Sequence, residues 1–471
     1  MKHTANKTDF KTESNPKIGH VFAVLFWIAV WALVAGGIGN PLLLASPLET
    51  LQTLAQALVG DGFWRSVGQT TMRIVLTGLA SALLGALLGV AAANWRFVQV
   101  LLAPVLQVMK SAPVGCVVVI VLVMSGSAGA LVAIVAFVTL PPMYVAVLEG
   151  SNARAGQSRT CEQVLSCAGV GRVRIFLSCT WPTMLPFLLA ATKTAVGLSW
   201  KAGITAELLC VPLGSVGAAI YASKLTLDMP SLLMWTVVVM TLGWVCEKVL
   251  LALLGLTANS PRLAVKMSCR RTPPRVSPDA LVFEDVAFAY RDAMVLEGVS
   301  LAVPPGERVC LMAPTGAGKT TLISLAMGEN RSQKGTVCTP ALLGVVAQTD
   351  ALVEVLTPLE NVQLVCGSEV SVDQLEQEMR ALLPAGTLDR AVSELSGGTR
   401  RLVQIARALY SPGQALVMDE PLTGLDVKTN KSACAFILSH QNGRPLLLTT
   451  HHAEDAQRLD ARVVTLESRD E

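Results

Sequence analysis

The chain has 471 residues, of which 52% are hydrophobic and only 15% charged, and its mean hydropathy is +0.54. An ordinary soluble chain carries about 25% charge, so this composition excludes a wholly soluble protein. The net charge of +3 gives no basis for a nucleic-acid partner. The eleven cysteines include no C-x-x-C pair and no Cys/His cluster with zinc spacing, which leaves them as reduced, apolar packing residues.

The charge is unevenly spread. Ile74–Trp95 and Ser111–Leu148 contain no charged residue, whereas the chain from about residue 279 reads as soluble α/β. A membrane domain followed by a cytoplasmic one is expected. After a basic tail (Lys2, Lys7, Lys11, Lys17), the run Val21–Gly39 has the length of a membrane span, about 20 residues. It is too long for the apolar core of a signal peptide, about 7–15 residues, and reads as a retained first helix. A second span is expected within 66–94, where Gly78, Gly85 and Gly89 supply small faces for close packing. Ser125-Gly126-Ser127 divides the next apolar stretch into spans at about 102–123 and 128–148. A fifth falls within 182–204 and a sixth within 230–256. Lys and Arg concentrate in the tail, in 150–181 (Arg154, Arg159, Arg172, Arg174) and after span six (Arg262, Lys266, Arg270, Arg271, Arg275). Both termini are therefore expected on the cytoplasmic side of the bilayer.

Segment 150–181 is too polar for the bilayer and contains Gly169 followed thirteen residues later by Pro182. That spacing resembles the cytoplasmic loop of binding-protein-dependent importer permeases, E-A-A-x-x-x-G-x₉-I-x-L-P. Here Gln163-Val164-Leu165 stand at the E-A-A positions, with Glu162 adjacent, and Cys179-Thr180-Trp181-Pro182 at the end. Trp200 through Glu207, with one residue more before its Ala-Glu, is similar to the W-x-x-x-x-A-E segment of permeases of the nitrate/sulfonate/taurine type. The resemblance covers most of 65–255. It implies a coupling helix at about 160–172 that docks into an ATPase domain. It also implies a solute delivered by an extracytoplasmic substrate-binding protein, with small anions and vitamin precursors as the solute class. Lys193, Lys201 and Glu207 lie in or near span five. They either line a path for an anionic solute or sit at interfaces, snorkel and pair with one another.

Thr272-Pro273-Pro274-Arg275-Val276-Ser277-Pro278 reads as a semi-rigid connector, so the expected domains are 1–258 and 279–471 with a linker at 259–278. In the second, the strand-like run Arg308–Met312 leads into Ala313-Pro314-Thr315-Gly316-Ala317-Gly318-Lys319-Thr320-Thr321 and a helical pattern. This is a phosphate cradle. Backbone N–H groups of 315–321 and the helix N-terminus face an anion, Lys319 reaches the β/γ-phosphates, and the Thr320 hydroxyl holds Mg²⁺. Ala313 replaces the first glycine of G-x-x-x-x-G-K-[ST]. Further on, the buried strand Ala415–Met418 ends in Asp419, suited to Mg²⁺, and Glu420, suited to act as general base.

Leu395-Ser396-Gly397-Gly398-Thr399 resembles L-S-G-G-Q, the signature of ATP-binding cassette proteins. Val345–Gln348 resembles that family's Q-loop, Pro421–Asp426 its D-loop, and Leu446–His451 its switch-histidine strand. The resemblance covers 281–467. It implies that Tyr290 stacks on adenine, that Gln348 senses Mg²⁺ and the attacking water, and that Ser396, Gly397 and Gly398 contact the γ-phosphate bound by a partner subunit. It further implies that Asp426 belongs to the ATP site and that His451 contacts the γ-phosphate. Thr399 and His452 replace the family's glutamine and aspartate. Together with Ala313 they raise the expectation of slow hydrolysis.

The expected fold is a polytopic all-α domain of six transmembrane helices followed by an α/β P-loop ATPase domain with a helical subdomain. The expected function is ATP-driven import by a homodimer, or by a heterodimer with another such half, with ATP and Mg²⁺ as cofactors. Two rivals stand beside it. One is a half-size exporter, which needs a longer membrane domain; the other is a weakly hydrolysing nucleotide-binding membrane sensor.

Overall fold

The structure, a computed structural model, describes residues 16–154, 156–269, 277–290, 293–314, 316–366, 368 and 370–466. It divides into two compact units. One runs to Leu148 and resumes as Leu189–Leu253; the other joins Glu149–Leu188 to the chain from Leu254 onward.

The chain begins with α1 (Pro16–Ile38), α2 (Pro47–Ala57), α3 (Asp61–Asn94), α4 (Arg96–Ser111) and α5 (Val114–Ala153). Among the described residues, five helices are long and apolar enough to cross a membrane: Val21–Ile38, Asp61–Asn94, Gly129–Ala153, Arg172–Cys210 and Met229–Cys269. The expected third span, 102–123, is not one helix. Pro113 disfavours helical backbone at the residue before it, and Ala112 is extended at φ −70°, ψ 134°. Helix α4 and Val114–Ser127 consequently meet at 107°, and the spans number six only if this bent pair crosses as one. The expected division after it is present. Gly126, at φ 70° and ψ −176°, breaks α5 in a conformation open essentially to glycine alone.

Small residues let α5 lie close to α3. A Cβ on Gly85 would stand 2.7 Å from the Leu140 carbonyl oxygen, and one on Gly89 would stand 2.8 Å from Val147 Cβ. Helix α2 opens with a capping box, in which the Ser46 side chain accepts from Glu49 N–H and the Glu49 carboxylate accepts from Ser46 N–H.

The second unit starts from α6 (Gln157–Cys167) and α7 (Arg172–Ile175), then a π-helical turn (Phe176–Thr180) leading into α8 (Trp181–Cys210). After α9 (Val216–Leu225) and α10 (Met229–Leu256) the chain returns to this unit as α11 (Ser260–Cys269). The segment 160–172, expected to form a coupling helix, is occupied in part by α6, which starts three residues earlier. It ends sooner because Gly169 adopts φ 77°. Val170 N–H donates to Leu165 O and Gly169 N–H to Ser166 O, the paired bonds of a glycine-terminated helix. A Cβ on Gly169 would stand 2.8 Å from Leu342 Cδ2. The expected linker, 259–278, opens as helix rather than as irregular connector, with Pro261 in the first turn of α11, where a proline is tolerated. Ser268 donates to Leu364 O at 2.7 Å and accepts from Arg174 Nη1 at 2.8 Å. The proline-rich part at 270–276 lies outside the described residues.

The rest of this unit holds two sheets. In one, β1 (Leu281–Tyr290) pairs antiparallel with β2 (Ala293–Val303) and β4 (Lys334–Cys338). The other is parallel, in the order β5 (Leu343–Val346), β6 (Ala415–Met418), β7 (Leu446–Thr449), β3 (Arg308–Met312), β8 (Arg462–Thr465). Strands β5, β6 and β7 are buried along their whole length, which is why they read as unbroken apolar runs. Helix α12 (Lys319–Ala326) follows β3. Helices α13 (Pro358–Cys366), α14 (Val372–Leu382) and α15 (Gly397–Leu409) form the helical subdomain, followed by α16 (Val427–His440) and α17 (Ala453–Arg458). Cys161, Val164, Leu165, Ala168 and Cys179 share one apolar core with Leu343, Val345, Leu364 and Val365 of the region from Leu281 onward. The loop is therefore part of that region's core.

Candidate active site

The adjacent strands β6, β7 and β3 deliver their C-terminal ends to one edge of the parallel sheet, the usual place for a ligand in an open α/β sheet. At the end of β3 the chain turns through Ala313–Gly318 into α12. Gly316 and Gly318 adopt φ 91° and 87°. At Gly318 a Cβ would also stand 2.5 Å from Leu296 Cδ2, so only glycine fits. Ala313 is not among the non-glycine residues with positive φ, so the alanine there brings no backbone strain. Lys319 is 7% exposed. Its Nζ donates to Pro314 O at 3.1 Å and to Ala313 O. Ala317 and Thr321 belong to the same turn and first helical turn. Thr315, assigned to the cradle above, lies outside the described residues.

Strand β6 ends in Asp419, 2% exposed. Burial pushes its carboxyl above the usual range, opposed by hydrogen bonds from the Thr449 and Thr320 hydroxyls. The next residue, Glu420, has φ 47°, a left-handed backbone that costs a non-glycine residue on the order of 1–3 kcal/mol. Thr449, at the end of β7 and fully buried, holds this corner. Its hydroxyl donates to Asp419 Oδ1 at 2.6 Å and accepts from Glu420 N–H at 2.9 Å. His451 Nε2 lies 2.7 Å from Glu420 Oε1, and Thr423 Oγ1 donates to Glu420 Oε2 at 3.2 Å. Thr320, Asp419, Glu420, Thr449 and His451 therefore form one hydrogen-bonded chain across three loops. Thr449 escaped the sequence reading, although its place at the end of an apolar strand, two residues before His451, was the available signal.

The remaining predicted residues stand apart from that chain. Gln348 follows β5, and its side chain is exposed. Arg401, on α15, donates from Nη1 to Ala347 O at 2.6 Å and from Nη2 to Gln348 O at 3.3 Å. Gln404 Nε2 donates to Asp350 Oδ1 at 3.3 Å, and Arg400 pairs with Asp350 and Glu354. The helix that begins at Gly397 thus grips the segment 347–354. Ser396 caps α15 by accepting from Thr399 N–H, and Thr399 Oγ1 lies 2.9 Å from Ser396 Oγ. Threonine at this position therefore turns inward to the cap instead of projecting outward. Gly398 packs near Gly424 O. Asp426 caps α16, accepting from Lys428 and Thr429 N–H, which lowers its carboxyl below the usual range. Tyr290 ends β1 half-exposed and edge-on to Phe288, with centroids 4.9 Å apart. His452 is exposed at the start of α17.

In two further polar clusters the sequence named an acidic residue but not its partners. In the loop, Arg154 pairs with Glu162 through two bonds, at 3.1 and 2.8 Å, and Thr180 Oγ1 donates to Glu162 Oε1 at 2.7 Å. Among the apolar helices, Glu207 is fully buried. It accepts from Arg73 Nη1 at 2.9 Å, from Thr70 Oγ1 at 2.9 Å and from Gly217 N–H at 3.1 Å. Glu207 therefore pairs with α3, while Lys193 and Lys201 stay exposed on α8.

A family model described as ABC transporter matches residues 296–423. The Nod factor export ATP-binding protein I of Rhizobium etli is 36% identical over 217 residues, covering 42% of this chain and 68% of that protein. Its namesake in Paraburkholderia xenovorans is 35% identical over 209 residues, covering 40% and 68%. A solved ATP-binding subunit of an ABC transporter shares 26% identity over 40% of this chain and 85% of its own, with a TM-score of 0.35. With a phosphate cradle, acidic strand end and signature helix matched in order, this chain belongs to the ABC transporter family, joining a region of apolar helices to an ATP-hydrolysing cassette.

Proposed function

We propose that the chain is one half of an ATP-driven importer of a small anion or vitamin-precursor-like solute in the cytoplasmic membrane, working as a dimer with a separate solute-binding protein. The observation that carries this reading is the loop 149–188. It presents a short helix, α6, which is built into one apolar core with residues of the cassette. That loop and the chain from Leu254 share a compact unit with the cassette, which supports a reading with all three on one side of the membrane. In that reading helices α8 and α10 cross out and back, and the basic segments favour the cytoplasm for that side. An exporter reading is favoured by the name of the curated relatives, whose match covers about two-fifths of this chain.

The nucleotide chemistry follows from the corner held by Thr449. Lys319 is placed to exchange the Ala313 and Pro314 carbonyls for ATP phosphate oxygens. Thr320 and Asp419, already bonded to each other, offer the hard oxygen donors that suit Mg²⁺, which when bound neutralises phosphate charge. Glu420 orients water and takes its proton, while His451 fixes the carboxylate at 2.7 Å. Gln348 reaches the same water, and Tyr290 stacks on the base. Ser396–Gly398 of a second copy and Asp426 complete the site.

Direction is tested in proteoliposomes with the cassette facing outward and ATP added outside. Candidate anions and vitamin precursors are placed in turn inside, with binding protein, or outside. ATP-dependent emptying of the lumen, absent in Glu420→Gln, is the expected result. ATP-dependent filling overturns import in favour of export.

A further inference from the structure

The coupling loop carries two thiols that the nucleotide chemistry does not use. Cys161 lies on α6 and Cys179 in the π-helical turn before α8; they are 2% and 6% exposed. Their sulfurs are 3.3 Å apart. Both line a cavity of 360 Å³ shared with Ser158, Thr183 and the segment Leu352–Val355. A water occupies roughly 30 Å³ of liquid, so a cavity of this size has room for a small oxidant beside them. Arg407 of α15 is 1% exposed, and its Nε and Nη1 make no hydrogen bond. The Cys179 S–H first, and then the Arg407 charge and a side-chain hydrogen bond from it, hold the Cys161 thiol below its usual value in spite of burial. The π turn is itself an irregularity of the kind that marks functional segments.

We propose that Cys161 and Cys179 are an oxidation site for hydrogen peroxide, and that their closure to a disulfide staples the coupling helix to the root of α8 and slows transport. The Cys161 thiolate attacks one peroxide oxygen, the O–O bond breaks, and hydroxide leaves, giving a sulfenic acid. Cys179 sulfur then attacks the Cys161 sulfur. Its proton leaves with the sulfenic hydroxyl as water, and the S–S bond forms. The pair is oxidised by two electrons and one peroxide is reduced. The effect on transport rests on α6 being the coupling helix; the chemistry at the two sulfurs does not.

The test treats the full-length chain in lipid with hydrogen peroxide, alkylates the remaining thiols and maps peptides. The expected product is a peptide linked between Cys161 and Cys179, lost on adding dithiothreitol. In Cys179→Ser, dimedone is expected to trap Cys161 as the sulfenic acid. Transport is expected to fall on oxidation and recover on reduction. The double variant Cys161→Ser/Cys179→Ser should transport as well as the untreated chain and resist peroxide. Cys161 and Cys179 remaining fully alkylatable while the exposed Cys116 and Cys338 oxidise would overturn the site. A linked chain that still transports at the unoxidised rate would overturn the staple.

Discussion

Replacing Thr449 by Val keeps the shape of the β7 end and removes one hydroxyl. Two bonds go with it: the donation to the Asp419 carboxylate at 2.6 Å and the acceptance from Glu420 N–H at 2.9 Å. A bond to a charged acceptor contributes about 1.5–3 kcal/mol and a neutral one about 0.5–1.5 kcal/mol. Glu420 sits in left-handed backbone, and the Thr449 hydroxyl is the acceptor that holds its N–H. If roughly 3 kcal/mol of this placement is felt in the transition state, turnover falls by about two orders of magnitude. The loss has a pH signature. Asp419 already titrates above the usual range because it is buried, and Thr449 is the first contact that opposes this. Without the hydroxyl the carboxyl rises further, so the acid limb of the turnover profile moves to higher pH. The sign for stability is the reverse. A raised carboxyl costs stability while ionised, and the cost is relieved as pH falls through its folded value. Steady-state ATP turnover against pH, with kcat and KM separated, reads all of this, and Thr449→Ser should retain most activity. Turnover of Thr449→Val within a factor of two of the parent, with an unmoved acid limb, would refute the reasoning.

Three other outcomes are expected. Gly169→Ala puts a side chain at φ 77° and 2.8 Å from Leu342 Cδ2, destabilising the loop by about 1–2 kcal/mol. Transport should drop with ATP turnover retained, and Leu342→Ala should restore part of it. Glu162→Gln leaves the bidentate Arg154 contact without its charge, worth about 1–3 kcal/mol; limited proteolysis within 149–188 should become faster. Arg73→Met strands Glu207 among apolar helices. It should lower the thermal midpoint of the detergent-solubilised chain by the equivalent of about 2–3 kcal/mol, less than a fully buried pair because Arg73 is 32% exposed. Adding Glu207→Gln should recover much of that, since Thr70 and Gly217 can still bond to it.

The cassette was legible because its chemistry demands fixed spacing. Lys319 and Thr320 must follow a glycine turn, and Asp419 and Glu420 must end a buried strand, so the order of residues reveals them. Thr449 and Arg401 were not legible, because each acts across the fold: Thr449 on a strand 30 residues distant in sequence, Arg401 on a loop more than 50 residues before it. The same holds for Arg73 and Glu207, 134 residues apart. Hydropathy alone hid the break at Ala112, because Pro113 interrupts a helix without interrupting an apolar run. The proline-rich composition after residue 270 likewise drew attention away from Ser260-Pro261, an ordinary helix start.

The interleaving of the two compact units has a consequence for how firmly the parts must adhere. The chain passes between them after Leu148, after Leu188 and after Leu253, so three crossings join the two units, while the cassette from residue 279 onward has one covalent connection of its own, the chain after Leu253. Helix α6 meets its seat as an intramolecular partner, at an effective concentration of order millimolar or higher. A seat that is always faced by its occupant need not bind tightly.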